Sequence, residues 1–244
     1  MVINNRKYTG IIDQLLLGVN MLDILFIGAH PDDETSVSGL LIKAKNEGLS
    51  TGLIILTKGE AGGFADKDTR VKELKCASKV MDVDYLRNLD CGDSEIVFKD
   101  ENVKRLIPLL VETQPKVVIT IHDEDYHPDH KAVSQIVDRA VFLAGLKKYI
   151  GEHTWHPNQI FYVSLDPRTN TKRPDILIDI SCVYQTKKSA TNCYESQKIE
   201  ENMDAHFKYL GQMAGCEYAE GLYIKQPLII NNVSKLFNEA NIYR

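Results

Sequence analysis

Short apolar runs alternate with segments of helical periodicity along most of this chain, and no other feature restricts its fold as strongly. Leu22–Gly28 reads as a buried strand, apolar and rich in β-branched residues. A helix follows over roughly Ser36–Glu47, and Gly48 stops it. Thr51–Thr57 is a second strand, and the loop Lys58–Asp68 after it carries Gly59, Gly62 and Gly63. Next come a helix from Thr69 to Met81, a short strand Asp84–Leu89, and a helix Asn102–Thr113 in which Pro108 predicts a kink or a late start. Lys116–Ile121 reads as a strand and Asp129–Leu143 as a helix. The repeated β-α order predicts an α/β fold, with a Rossmann-like, mostly parallel sheet, right-handed crossovers and flanking helices.

The final third is mixed. Gln159–Val163 and Ile176–Ile180 read as strands, Val183–Ser196 and Ile199–Met213 as helices, and Leu222–Ile224 as a short strand. No repeat or linker interrupts the pattern, so residues 21–230 read as one domain with a small mixed C-terminal part. Residues 1–20 are an N-terminal extension, read either as a docked amphipathic helix or as a start set one methionine early. Residues 231–244 are a C-terminal tail. The 244 residues, 43% hydrophobic and 26% charged, suit one large domain better than two small ones.

Charge and cysteine usage narrow the function. A net charge of −5 without a dense Lys/Arg cluster argues against a nucleic-acid surface. Lys147-Lys148 and Lys187-Lys188 are isolated pairs, read as solvated helix faces. Five cysteines, at positions 76, 91, 182, 193 and 216, form no CxxC pair. They are expected to be reduced thiols in the cytoplasm, each a small core residue. No apolar run reaches the ~20 residues that span a bilayer, and no secretion leader is recognisable.

Two clusters carry chemistry. His30-Pro31-Asp32-Asp33-Glu34 and His127-Pro128-Asp129-His130 each follow an apolar strand. Ligands in open sheets of this kind bind beyond the carboxyl ends of the strands, which is where both clusters fall. Clustered carboxylates repel one another unless a cation holds them. Catalytic zinc commonly takes three protein ligands and keeps a fourth position open, and His30, Asp33 and His130 form the best such set. Fe²⁺ also uses two histidines and a carboxylate, so spacing leaves zinc and iron both open. Asp32 beside the metal can take a proton from the attacking water and later deliver it to a leaving amine. His127, protonated on Nε2 or cationic, can stabilise an oxyanion, with Asp129 hydrogen-bonded to it and holding it in the donor state.

Each cluster alone also fits a turn feeding a helix N-terminus, where acids are favoured; two of them at strand ends favour the metal reading. His122 either lines the cleft or is a polar strand end, while His153, His156 and His206 read as surface or packing residues. Arg70 sits in a first helical turn, which the helix dipole disfavours. It is therefore read either as a contact to a carboxylate, phosphate or sugar hydroxyls, or as a surface pair with Glu73.

At these residues the chain resembles the LmbE-like, or PIG-L-type, N-deacetylase family. Ala29–Glu34 and His127–His130 match its two signatures, and the likeness runs from Met21 to about Leu228. It takes in Thr57–Gly63, Arg70–Glu73, Asp179–Ser181, Lys187–Ala190, Glu195–Gln197 and Glu217–Gly221. The resemblance implies a Rossmann-like zinc hydrolase acting on N-acetylglucosamine derivatives. It gives metal binding to His30, Asp33 and His130, base catalysis to Asp32, oxyanion stabilisation to His127 and a substrate contact to Arg70. It also implies a homo-oligomer, with a hexamer as one arrangement. The tail pieces look closest to the bacillithiol-type branch, which acts on N-acetylglucosaminyl malate.

Two departures bear on the aglycone side. The glycine loop reads Gly59-Glu60-Ala61-Gly62-Gly63-Phe64-Ala65-Asp66, and the stretch between Gln197 and Tyr209 is short. A chitooligosaccharide or a glycolipid is therefore the alternative substrate. Two readings from other classes are weaker. A nucleotide-cofactor enzyme would carry GxGxxG where Gly28–Asp33 places acids. A non-catalytic metal or sugar-binding module needs neither Asp32 nor His127.

Overall fold

The computed structural model describes residues 21–62, 65–150, 155–166, 172–197 and 199–228. The extension 1–20, the tail 231–244 and His153 therefore lie outside the described residues. The central strands are short and buried on both faces, as parallel strands between helix layers must be. In β1 (Ile24–Gly28), Leu25 and Ile27 face one apolar cluster and Phe26 faces the other, following the two-residue period of a strand. β2 (Thr51–Ile55), β3 (Tyr85–Asn88), β4 (Val117–Ile121) and β5 (Gln159–Val163) complete a five-stranded parallel sheet of order β3-β2-β1-β4-β5.

Seven α-helices are described: α1 (Ser38–Asn46), α2 (Lys67–Val80), α3 (Asp100–Thr113), α4 (Pro128–Ala144), α5 (Lys147–Ile150), α6 (Tyr184–Thr191) and α7 (Glu200–Ala214). α3 and α4 cover one face of the sheet; α1, α2, α6 and α7 lie toward the other. β6 (Ile176–Asp179) and β7 (Ala219–Leu222) form an antiparallel pair, bridged to β5 through Tyr162 and Tyr223. The strand order reverses between β1 and β4. The loops that leave these two neighbours open a crevice at their carboxyl ends.

Several local expectations need correction. The first helix is split: a 3₁₀ turn over Asp33–Ser36 precedes α1, so the acidic motif forms its own tight turn. Pro108 lies inside α3 without ending it, and the helix starts earlier than expected. α6 stops at Thr191, and β7 lies a few residues before the expected strand.

Lys187 is not on a solvated face. It is 2% exposed, its Nζ lies 2.7 Å from Glu220 Oε1, and it also donates to Thr35 O. The Glu220 carboxylate in turn accepts the N–H groups of Gly39 (2.8 Å) and Leu40 (2.7 Å) at the start of α1, where the helix dipole favours an anion. That arrangement explains why a lysine is buried there.

The cysteines are not all reduced core residues either. Cys76 on α2 and Cys193 after α6 form a disulfide, while Cys91 and Cys216 are half-buried and Cys182 is exposed. Among the described residues, no helix is long and apolar enough to cross a membrane.

Candidate metal centre

The β1 loop turns back on itself directly after the strand. Asp33 Oδ2 accepts the N–H groups of Ala29 (2.7 Å) and His30 (2.8 Å). Gly28 permits this close return, because a Cβ there would lie 3.1 Å from Asp33 Cβ and 2.8 Å from the Phe26 ring. With Oδ2 occupied, Asp33 Oδ1 is left facing His130 Nε2 at 3.3 Å, and His30 Nδ1 lies 3.3 Å from the same nitrogen. A tetrahedral centre with bonds of about 2.0–2.1 Å sets its ligand atoms about 3.3–3.4 Å apart. Two of the three separations in the set His30, Asp33 and His130 thus match one tetrahedral divalent cation, while His30 Nδ1 lies 3.9 Å from the nearer Asp33 oxygen; the His30, His127 and His130 nitrogens form another grouping close enough to hold a metal.

Surrounding carboxylates orient both imidazoles. His30 Nε2 lies 3.0 Å from Asp93 Oδ1 and 3.2 Å from Asp129 Oδ2, so its proton belongs on Nε2 and its lone pair on Nδ1. His130 Nδ1 lies 3.0 Å from Asp125 Oδ1, close enough for an ion pair but not aligned for a hydrogen bond, since that oxygen accepts the His127 N–H at 2.8 Å; Nε2 is the nitrogen that faces His30 and Asp33. Without a cation these carboxylates keep the rings charged. Burial would lower the pKa of His30, but Asp129, Asp93 and Asp33 raise it to about 10. His130 is likewise opposed by burial and raised by Asp33 and Asp125 to about 9. Asp33 is driven below the usual carboxylate range by His130 and His30, against its burial.

His127 is the N-cap of α4, with Pro128 at the first helical position. Its Nδ1 accepts the backbone N–H of Asp129 at 3.2 Å. An amide can only donate, so the neutral ring carries its proton on Nε2. Burial and the neighbouring His130 and His30 lower the His127 pKa, which favours that neutral form. The expected contact between His127 and the Asp129 carboxylate is absent. That carboxylate crosses the crevice to His30 and also takes the Ser94 N–H at 2.8 Å. The cap geometry turns the His127 ring back onto the Asp129 amide, so the donor state is set by backbone and not by a carboxylate.

Asp32, within the first cluster, has φ 118°, in a region where a non-glycine residue is strained. Burial and Asp33 push its carboxyl up to about 6, opposed by Arg70 and His30. Arg70 lies on α2, is 2% exposed, and donates from Nη2 to Pro31 O and to Asp32 Oδ2 (3.1 Å). Gly59, at φ +69°, makes room for it, since a Cβ there would come within 2.8 Å of Arg70 Nε. The alternative partner Glu73 is engaged elsewhere, accepting from Ser196 N (2.9 Å) and Ser196 Oγ (2.7 Å).

Sequence reasoning placed Glu34 in the first cluster without a role of its own, and missed Asp93, Asp125 and Tyr194. Asp93 and Asp125 follow strand ends and carried that positional signal. Tyr194 carried none, because its contact with Glu34 spans 160 residues. His122 is buried between the Tyr162 and Tyr223 rings, His156 is exposed and His206 is half-buried. Beside the Asp33–Ser36 turn, at the carboxyl end of β5, opens a cleft of about 510 Å³. Ser36, Val163, Asp166, Met203, His206 and Phe207 help to line it; the His/Asp cluster does not.

The fold and this cluster define an α/β protein with a His/Asp cluster that could hold a metal ion at the reversal point of its sheet. The PIG-L family, described as GlcNAc-PI de-N-acetylase, matches residues 25–141, which hold both clusters, so the chain carries a PIG-L family domain. The diacetylchitobiose deacetylase of Thermococcus kodakarensis is 27% identical over 224 residues, covering 82% of this chain and 81% of that one. A probable N-acetyl-alpha-D-glucosaminyl L-malate deacetylase 2 of Bacillus cereus is 28% identical over 199 residues, covering 76% of this chain and 88% of its own. The crystal structure of the conserved protein TT1542 from Thermus thermophilus superimposes with a TM-score of 0.79 at 32% identity, covering 86% of this chain and 97% of that chain.

Proposed function

We propose that this protein is a metal-dependent deacetylase that removes the acetyl group from an N-acetylglucosamine derivative. One observation carries the reading. His30 Nδ1 and Asp33 Oδ1 each lie 3.3 Å from His130 Nε2, within reach of one cation, and the neighbouring Asp32 carboxylate is engaged by Arg70 instead. The deacetylase names of the relatives support the reaction class. A cation held by His30, Asp33 and His130, zinc or else iron, would polarise the acetamide carbonyl and acidify the attacking water.

The chain's own groups do the rest. Asp32 takes the proton of the water and passes it to the departing amine. His127 Nε2–H donates to the oxygen that becomes negative. Asp93 and Asp129 hold His30 in the ligating tautomer, and Asp125 pairs with His130 at Nδ1. Arg70 donates to the Asp32 carboxylate and so acts on the base, which is the role tested first; a direct substrate contact is the alternative.

The cleft beside the centre supports a neutral aglycone. Its described lining includes one carboxylate, Asp166, and neither Lys nor Arg. A chitooligosaccharide therefore fits better than N-acetylglucosaminyl malate, whose carboxylates meet no Lys or Arg among the described lining residues. We further read the domain as spanning 21–230 and the protein as a cytoplasmic homo-oligomer. The Cys76–Cys193 link forms more readily in an oxidising compartment, so thiol alkylation in intact cells tests the placement. Light scattering tests the assembly.

The deciding experiment combines metal analysis with acetate release from N-acetylglucosamine, N,N′-diacetylchitobiose and N-acetylglucosaminyl malate. Acetate from the chitobiose with one metal per chain is expected. Metal-loaded protein that releases acetate from none of the three would overturn the assignment.

A further inference from the structure

The strained backbone of Asp32 needs support that the metal ligands do not give. Its carbonyl accepts from Thr35 N (2.9 Å) and Thr35 Oγ1 (2.6 Å), and its carboxylate takes Arg70. Its N–H is held separately, by Glu34 Oε2 at 3.1 Å. The other carboxylate oxygen of Glu34 receives the hydroxyl of Tyr194. Glu34 is 0% exposed and Tyr194 2%. A buried carboxylate is costly unless donors satisfy it, and here both incoming groups are donors. That is a site for an acceptor-only side chain.

Tyr194 is itself anchored. It follows Cys193, which is bonded to Cys76 on α2, and Ser196 two residues later is tied to Glu73 on the same helix. The helix that supplies Arg70 to the Asp32 carboxylate therefore also fixes the turn that supplies Tyr194 to Glu34.

We propose that Glu34 and Tyr194 are positioning residues for Asp32: the Tyr194 hydroxyl fixes the Glu34 carboxylate, which fixes the Asp32 N–H and so the direction of the Asp32 side chain. The proposal rests on the reading of Asp32 as the base. A misplacement of about 1 Å at a reacting group can cost on the order of 10²-fold in rate. Tyr194→Phe should therefore lower kcat by roughly 10- to 100-fold, with KM and bound metal unchanged. Glu34→Gln should lose less than Glu34→Ala, because an amide oxygen still accepts the Asp32 N–H while its NH₂ group donates to Tyr194.

The test is a double-mutant cycle on zinc-loaded protein, reading single-turnover acetate release from N,N′-diacetylchitobiose. In an Asp32→Ala background, Tyr194→Phe should cause no further loss, since its effect passes through Asp32. The same fractional loss in both backgrounds, or a raised KM with kcat intact, would overturn the proposal. So would equal losses from Glu34→Gln and Glu34→Ala, a comparison that serves if Tyr194→Phe folds poorly. If Asp32→Ala alone retains turnover, the base assignment fails and the positioning role falls with it. That result is distinct from an inactive Asp32→Ala combined with an additive Tyr194→Phe.

Discussion

Replacing Arg70 by Met would remove the guanidinium that donates to Asp32 Oδ2 at 3.1 Å and leave a side chain of similar length. Burial and Asp33 hold the Asp32 carboxyl at about 6 even with Arg70 pulling it down. An adjacent opposite charge depresses a carboxylate by about 1–3 units, so its loss should carry Asp32 to about 7–9. The sign is fixed: a base must be ionised to work, and a higher pKa keeps it protonated over a wider range. At about pH 7 the ionised fraction falls from about 90% for a pKa of about 6 to about 10% for a pKa of about 8. The variant should then lose roughly tenfold in kcat/KM at neutral pH and recover as pH rises. A bound cation lowers Asp32 in variant and parent alike, so the displacement of the acid limb is the quantity to measure. The assay is acetate release across the pH range with metal content determined at each end. Equal loss at every pH would refute the reasoning. So would a loss confined to substrates with an anionic aglycone, which would instead place Arg70 in contact with substrate.

Three further outcomes are expected. His130→Ala should lose the metal, whereas His127→Ala should keep it and lose about 10²–10³-fold in kcat; metal analysis beside turnover separates the two, and equal metal loss in both would merge their roles. Asp125→Asn should weaken metal affinity by about 10- to 100-fold, read by competition with a chelator, because Asp125 Oδ1 lies 3.0 Å from His130 Nδ1. Lys187→Met should cost about 3–5 kcal/mol by leaving Glu220 buried without its cation, a fall of about 6–20 °C in Tm by circular dichroism; a change below about 1 kcal/mol would mean that the α1 amides alone satisfy Glu220.

The sheet was legible because its strands are apolar on both faces and separated by helices of ordinary length. The last of them, Gln159–Val163, agrees to the residue. The centre was legible for the same reason: both motifs lie at strand ends, and the order β3-β2-β1-β4-β5 makes those ends neighbours. Contacts between groups far apart in sequence were not. Lys187 reads as solvated until Glu220 and the start of α1 surround it. Cys76 and Cys193 stand 117 residues apart with no motif to link them. Asp129 illustrates a subtler failure. Proximity in sequence pairs it with His127, but a helix cap spends that proximity on the backbone amide and frees the carboxylate for His30.

The seam between β1 and β4 has a consequence for how the protein is made. His30 and His130 are 100 residues apart, so a nascent chain displays its first acidic motif long before the partner strand exists. A metal held by His30, Asp33 and His130 would not meet its full set of ligands until β4 has docked, a closure of high contact order. Uptake of such an ion would then be a late assembly event, and whatever free energy it contributed would be delivered to the middle of the sheet and not to one loop. Chelation should accordingly loosen the molecule along that seam first, exposing β4 amides to hydrogen exchange ahead of those in β2.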